Sequence, residues 1–114
     1  MRNSREMLAD ILEAIQHIEK YTGQGREKFD ADELVQTWVI RHLQILGEAA
    51  RKLPPEIKEK HPEIPWSKII GMRHILTHHY FDIDEEVVWA VVENELPGLK
   101  RQIEVILKQL ETGP

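Results

Sequence analysis

The residues best suited to chemistry in this chain lie close together, in one segment of its second half. Arg73 is followed by His74, His78 and His79, and Tyr80 comes directly after the last histidine. Histidine can accept or release a proton near neutral pH, because its imidazole ring titrates at about pH 6.5. Arginine keeps its positive charge and can bind two oxygens of one phosphate. This combination predicts a site that binds a phosphate group and moves protons beside it.

The chain as a whole is acidic, whereas this segment is not. The 15 Lys and Arg residues against 20 Asp and Glu residues give a formal net charge of −5. That balance disfavours sequence-independent binding to long nucleic acids, which requires many phosphates to be neutralised by Lys and Arg. Residues 65–81 contain no Asp or Glu, however, and they add Lys68 to the arginine and histidines. The distribution therefore predicts a local anion site in an acidic protein.

Length and composition predict one folded domain. The chain has 114 residues, of which 41% are hydrophobic and 31% charged, as is ordinary for a globular protein. It has no cysteine, so a disulfide, a thiolate metal site and a thiol nucleophile are all excluded.

Apolar runs are too short to cross a bilayer, and the N-terminus lacks a signal-peptide pattern. We expect a cytoplasmic protein without a cofactor, with one domain over residues 1–111 and a frayed tail at 112–114.

The first half of the chain shows apolar residues at helical spacing, with capping residues where helices would begin. Asn3 predicts the start of a first helix, which two glycines end. A second helix is predicted to start near Asp30 or Asp32 and to run to Leu53. Gly47 lies inside that helix, where glycine costs about 1 kcal/mol relative to alanine. Its presence predicts that another helix approaches closely at this point.

The second half continues the helical pattern after a proline-rich connector. Pro65 suits the first position of a third helix that runs to about His78. Asp84 can cap a fourth helix that reaches Leu110, and Pro97 should kink or break it. With no strand pattern between these segments, the predicted fold is all-α, an antiparallel bundle of four to five helices.

Residues 73–80, the chemical segment, have a spacing that poses a geometric problem. Arg73 and Tyr80 are seven residues apart and share a face of an ideal helix, whereas His78 is rotated about 140° away from Arg73. For Arg73 and His78 to reach one phosphate, the helix must end or widen near Thr77. Otherwise the two side chains must come from different subunits.

The order Arg73, four residues, His78, one residue, Tyr80 resembles the Arg-x4-His-x-Tyr motif of HepT-like HEPN proteins. The resemblance covers nearly the whole chain. It extends to the segments at residues 45–50, 64–66, 69–73, 80–84 and 95–97. His74 departs from the pattern, because many relatives have Asn directly after the arginine. Asn and neutral histidine can each donate a hydrogen bond, so the site can survive the exchange, although a protonated His74 would alter the local charge.

The resemblance implies a HEPN-like helical bundle that forms a homodimer, alone or within a larger hetero-oligomer, and acts as a metal-independent endoribonuclease toxin. Two copies of Arg73 and His78 would meet at one composite site. There they would supply acid, base and phosphate clamps for RNA cleavage that leaves a 2′,3′-cyclic phosphate. The resemblance also implies a minimal nucleotidyltransferase antitoxin as partner, which AMPylates Tyr80. His74, His79 and Glu48 are candidates for supporting positions.

Other interpretations remain open from the residues alone. Arg73 could be a structural residue at a helix end that pairs with Asp82 or Asp84. Tyr80 could anchor the core or an interface, as aromatic residues after a helix often do. The chain could then be a non-catalytic module that docks onto a nucleotidyltransferase.

A metal site is a further alternative. His74 and His78 have the i, i+4 spacing of two zinc ligands on one helix. The segment lacks the Glu of the His-Glu-x-x-His motif, so a third ligand would have to come from a residue such as Asp82 or His61.

Overall fold

The computed structural model describes residues 3–112, except for the side chains of Tyr80 and Thr112. Seven α-helices and one short 3₁₀ helix occupy these residues, and no strand occurs among them. The 3₁₀ helix, Tyr80–Asp82, lies between α5 and α6. The α-helices are α1 (Ser4–Thr22), α2 (Arg26–Ala31), α3 (Glu33–Lys52), α4 (Pro55–Lys60), α5 (Trp66–His78), α6 (Glu85–Asn94) and α7 (Leu96–Thr112). The predicted all-α fold class is confirmed.

Capping side chains begin three helices where the sequence predicts them. Asn3 Oδ1 accepts a hydrogen bond of 2.8 Å from the Glu6 N–H at the start of α1. Asp32 Oδ1 accepts one of 3.0 Å from the Leu34 N–H at the start of α3. Asp84 Oδ1 accepts one of 2.9 Å at the start of α6. Each bond satisfies a backbone N–H that has no partner within the first turn of its helix.

Helix boundaries differ from the prediction in two places. Of the two predicted starts of the second helix, Asp32 is correct, whereas Asp30 lies inside a separate short helix, α2, that was not predicted. Pro65 lies one residue before α5 rather than in its first position. The predicted break at Pro97 is present, since α6 ends at Asn94 and α7 starts at Leu96. The predicted fourth helix is therefore two helices, and five helices of at least ten residues form the body of the bundle.

Two further predictions concern the C-terminal tail and membrane-spanning segments. Helix α7 includes Thr112, and residues 113 and 114, the rest of the predicted tail, lie outside the described residues. No helix in the described part of the chain combines the length and the apolar character needed to cross a membrane.

A cluster of buried apolar side chains forms the core of the bundle. Leu8 and Ile15 of α1, Leu43 of α3 and Ile103 of α7 are fully buried. Phe29 is also fully buried, and its ring lies 5.3 Å from that of Trp89 on α6. This contact accounts for the short helix α2, because burying one large aromatic side chain stabilises a segment that would be marginal alone.

Neighbouring long helices pack antiparallel. The ring of Tyr21, near the end of α1, lies 5.3 Å from the ring of Trp38, near the start of α3. Helix α7 returns along α1, and Lys100 near its start forms a 2.9 Å ion pair with Glu19 near the end of α1. Helix α5 packs along α3, so α3 lies between α1 and the helix that carries the chemical segment.

Helices α3 and α5 approach closely at Gly47, as predicted. A β-carbon at Gly47 would overlap Cβ of Arg73 and would lie 3.0 Å from its Cγ. It would also lie 3.3 Å from the carbonyl oxygen of Ile69. The missing side chain therefore sets the distance between α3 and the helix that carries Arg73.

Replacing Gly47 with alanine should destabilise the fold. The overlap with Arg73 should cost about 1–3 kcal/mol, as overpacking of a close contact usually does. It should outweigh the gain in helix propensity of about 1 kcal/mol. Urea denaturation followed by circular dichroism measures the difference in the free energy of unfolding.

Gly98→Ala is the matched control, because a β-carbon there would come no closer than 4.0 Å to the Arg101 side chain. This variant should be neutral or more stable than wild type. Equal effects of the two substitutions would show that the close approach at Gly47 does not limit stability.

Candidate active site

Arg73 lies against Glu48, which α3 presents one residue after Gly47. Arg73 Nε and Glu48 Oε2 are 3.0 Å apart, and each side chain is 29% exposed. This ion pair holds the guanidinium of Arg73 against α3 by its Nε side. The two Nη groups then form the part of Arg73 that can bind two oxygens of a phosphate.

Glu48 is the centre of a cluster of positive charges. Arg51 Nη2 lies 2.7 Å from Glu48 Oε1, and Lys52 Nζ lies 3.6 Å from the same oxygen. The hydrogen bond from Arg51 lowers the pKa of Glu48, and the positive charges of Arg51, Arg73 and Lys52 lower it further against the opposing effect of burial. The same hydrogen bond raises the pKa of Arg51. Glu48 is therefore an ionised anchor for Arg73 at neutral pH.

The sequence does not single out Arg51 and Lys52 as parts of this cluster. Their i+3 and i+4 spacing from Glu48 is nevertheless the usual signal for ion pairs on one helix. Arg73 instead reaches Glu48 from a different helix. Within the described residues its ion-pair partner is Glu48 rather than the Asp82 or Asp84 of the structural alternative.

The three histidines of the segment are all exposed. The rings of His74 and His78, one turn apart on α5, have centroids 4.5 Å apart. The His79 ring lies 6.3 Å from that of His74. A substrate can thus reach these imidazoles from solvent without rearrangement of the core.

Helix α5 is regular through Thr77 and ends one residue later, at His78. The His79 N–H donates a 2.9 Å hydrogen bond to the Ile75 carbonyl. The Leu76 carbonyl accepts a 2.9 Å hydrogen bond from the side-chain amide of Gln44 on α3. The first is the last bond of the regular helical pattern, whereas the Leu76 carbonyl is a terminal carbonyl that has no donor within the helix.

Arg73 faces a groove between α1, α3 and α5. Arg73 and Thr77 line it together with Glu48, whereas His78 is not among its lining residues. The single chain thus brings Arg73 together with Glu48, and His74 together with His78. It keeps these two pairs on different faces of α5.

Tyr80 opens the 3₁₀ helix that follows α5. The Asp82 N–H donates a 2.9 Å hydrogen bond to the His79 carbonyl, which closes this turn. The Tyr80 side chain lies outside the described residues.

The metal alternative finds no support in the geometry of the described residues. Among them, no three His, Asp or Glu side chains are placed so that together they could hold a metal ion. Neither Asp82 nor His61 completes a site with His74 and His78.

The helical bundle and the Arg73, His78 and Tyr80 motif define an all-α protein of the HEPN-like class. Residues 11–106 match a family model described as ribonuclease HepT-like. A relative from Thermococcus cleftensis, named as a probable ribonuclease HepT, is 42% identical over 108 residues, which cover 94% of this chain and 98% of the relative. The chain belongs to the HepT-like ribonuclease family.

Other curated relatives agree. A candidate RNase from Methanocaldococcus jannaschii is 37% identical, with 96% of this chain and 92% of the relative covered. A candidate RNase from Caldanaerobacter subterraneus is 36% identical, with 96% and 98% covered. None of the solved structures matches the chain significantly.

Replacing Glu48 with glutamine should destabilise the protein in a pH-dependent way. The pKa of Glu48 is lower in the folded chain than the value of about 4.3 expected in the unfolded chain. The ionised carboxylate therefore adds stability above that value, and the contribution is lost as the pH falls through the folded-state pKa. Near neutral pH we expect a loss of about 1 kcal/mol, because the ion pairs are partly solvated.

Urea denaturation at a series of pH values tests this expectation. The difference between wild type and Glu48→Gln should shrink towards zero in acid. Glu56→Gln, on the exposed surface of α4, controls for the loss of one negative charge. A Glu48→Gln effect that stayed constant with pH would contradict a stabilising role for the ionised carboxylate.

Proposed function

We propose that this chain is a metal-independent endoribonuclease toxin that cleaves RNA at a composite site formed by two copies of the chain. The observation that carries the proposal is the arrangement on α5. Glu48 holds Arg73 by Nε, and His78 is exposed beside His74 on the adjacent face. The family match and relatives named as ribonucleases support RNA as the substrate.

The proposed reaction needs one base, one acid and positive charge at the phosphate. The 2′-hydroxyl oxygen attacks the adjacent phosphorus while one His78 accepts its proton. The bond from phosphorus to the 5′-oxygen breaks, and the second His78 donates a proton to that leaving oxygen. The Arg73 side chains bind the non-bridging oxygens and stabilise the charge of the pentacoordinate state. The products are a 2′,3′-cyclic phosphate and a free 5′-hydroxyl.

Two copies are proposed because one chain cannot supply these groups. It contains a single His78, and α5 is regular up to this residue, so His78 does not turn to the groove that Arg73 lines. Large apolar side chains are exposed around the end of α5. Ile75 is 55% exposed, Phe81 98% and Val87 60%. Exposed apolar surface of this kind favours a subunit contact on the His78 side, and a two-fold axis there would bring both copies of the motif together.

Glu48, His74 and His79 are proposed in supporting roles. Glu48 acts through Arg73, by holding the guanidinium in place with an ion pair. The His74 ring lies 4.5 Å from that of His78, so it can act on the proton transfers of its neighbour.

His78→Ala should abolish RNA cleavage, and Arg73→Ala should reduce it severely, while both variants stay folded. The expected loss for His78→Ala is at least about 10²-fold, the usual contribution of one general acid or base. Cleavage should persist in EDTA, and the product should carry a 2′,3′-cyclic phosphate that chromatography separates from a 3′-phosphate. His61→Gln and Arg101→Ala, both outside the segment, are the matched controls.

Mixing wild-type and His78→Ala chains tests the composite site. If both His78 side chains serve one site, activity should fall as the square of the wild-type fraction after subunits exchange. A linear fall would mean that each site is complete within one chain. If EDTA stopped cleavage and zinc restored it, the metal alternative would replace this proposal. A wild type that bound a nucleotidyltransferase but cleaved no RNA would be the non-catalytic docking module.

Regulation is proposed to act through Tyr80. A minimal nucleotidyltransferase antitoxin would transfer AMP from ATP to the phenol oxygen, with release of pyrophosphate. Tyr80 follows His78 by two residues, so the added phosphate and base would occupy the path of the RNA backbone. Like-charge repulsion and steric exclusion would both block the substrate.

Co-expression with the nucleotidyltransferase should add mass to the intact chain in units of AMP. Tyr80→Phe should lose this addition, because it removes the acceptor hydroxyl. Tyr21→Phe, on α1, is the matched control and should be modified like wild type. If the partner neutralised Tyr80→Phe as fully as wild type, docking rather than modification would be the mode of control.

A further inference from the structure

The groove between α1, α3 and α5 is larger than a single phosphate needs. Its volume is about 800 Å³, within the range of sites for ligands of nucleotide size. Its α1 wall extends from Met7 to His17, which corresponds to about 15 Å at the helical rise per residue. Arg73 lines it from α5, so the groove is continuous with the proposed site of phosphate binding.

Charges are separated across this α1–α3–α5 groove. The cations Arg41, Lys52 and Arg73 line it from α3 and α5, whereas the acids Asp10 and Glu13 line it from α1. Glu48 is the acid on the cationic side, and its charge is paired with Arg51, Lys52 and Arg73. A polyanion would therefore lie along α3 and α5, away from α1.

Rings line the same groove. The imidazoles of His17 and His42 have centroids 4.9 Å apart. Trp38 lies against them, with its ring 4.3 Å from His42 and its indole N–H donating a 2.7 Å hydrogen bond to the His17 carbonyl. Trp38 thus packs against both imidazoles. The His17 side chain nevertheless remains 41% exposed.

The orientation of His42 also fixes its hydrogen-bonding role. Its Nδ1 lies 2.8 Å from the Trp38 carbonyl oxygen. Because a carbonyl oxygen only accepts, Nδ1 must carry the hydrogen, and Nε2 of the neutral ring is then an acceptor.

We propose that the α1–α3–α5 groove is a subsite for single-stranded RNA beside the cleavage site. Phosphates lie along Arg41 and Arg73, and unpaired bases turn towards α1, where they stack on His17 and His42. The negative charges of Asp10 and Glu13 on α1 repel phosphates, so they favour this orientation of the strand. This inference rests on the proposed function, since it takes RNA as the substrate.

Binding of a non-cleavable RNA tests the subsite separately from catalysis. The probe is a short fluorescein-labelled single-stranded RNA in which every 2′-hydroxyl is methylated, and fluorescence anisotropy measures its Kd on the purified full-length chain. Arg41→Gln should weaken binding and lower the slope of log Kd against log salt by about one, the effect of losing one phosphate contact. Arg101→Gln, an exposed arginine of α7 outside this groove, should leave both unchanged.

His17→Ala should raise Kd by about tenfold, as loss of one stacked base does, without changing the salt slope. Its backbone carbonyl still accepts the Trp38 bond, and a thermal melt checks its fold. If His17→Ala does not fold, the exposed Arg41 still provides the test.

The outcomes separate the two proposals. If Arg41→Gln and His17→Ala bind the probe as wild type does while wild type cleaves RNA, the subsite is wrong and the ribonuclease proposal stands. If the variants behave as expected but wild type cleaves no unmethylated RNA, the subsite stands and the catalytic proposal falls. If wild type neither binds the probe nor cleaves RNA, both are overturned.

Discussion

The close crossing of α3 and α5 at Gly47 is the constraint on which the candidate site depends. With no β-carbon at Gly47, Arg73 can lie directly against α3, where its Nε reaches Glu48. The same approach lets Gln44 bond to the Leu76 carbonyl near the end of α5. Two polar contacts and one steric contact thus fix both the axial position and the rotation of α5. The directions in which its arginine and histidines point follow from that placement.

Burial at this crossing also explains the charges around it. A carboxylate that is only 29% exposed loses part of its hydration, and that loss must be offset by partners. Arg51, Lys52 and Arg73 supply them, and Arg51 makes the shortest contact. Because two of these cations belong to the helix of Glu48, they orient the carboxylate without any contact from α5. Arg73 therefore meets a preorganised acceptor.

Much of the fold follows from local signals, and for that reason the sequence predicts it. Caps such as Asn3 and Asp84 act within one turn, and Pro97 breaks a helix through its own ring. Helix α2 was not predicted, because its stability depends on the packing of Phe29 against Trp89, a contact between distant parts of the chain. The absence of a Cβ at Gly47 indicated that another helix would approach there, but not which helix it would be.

The candidate site was likewise predictable from the sequence only in part. Residue types and motif order identify Arg73, His78 and Tyr80, because chemistry restricts those choices strongly. The pairing of Arg73 with Glu48 could not be predicted, since Asp82 and Asp84 are nearer in sequence and equally suitable in charge. The acidic net charge of −5 adds a further condition. Long-range repulsion slows the approach of any polyanion, so an RNA substrate is retained only where short-range contacts fit it.

The return of α7 along α1 has a consequence for how the chain folds. Helices α1, α3 and α5 pack in chain order, so their contacts close short loops at little entropic cost. Docking of α7 on α1, marked by the Lys100 and Glu19 ion pair, joins the two ends of the chain. A nucleus of the first three long helices can therefore form before α7 arrives. Weakened packing at the fully buried Ile103 would then accelerate unfolding and leave the folding rate nearly unchanged, as expected for a contact made after the transition state.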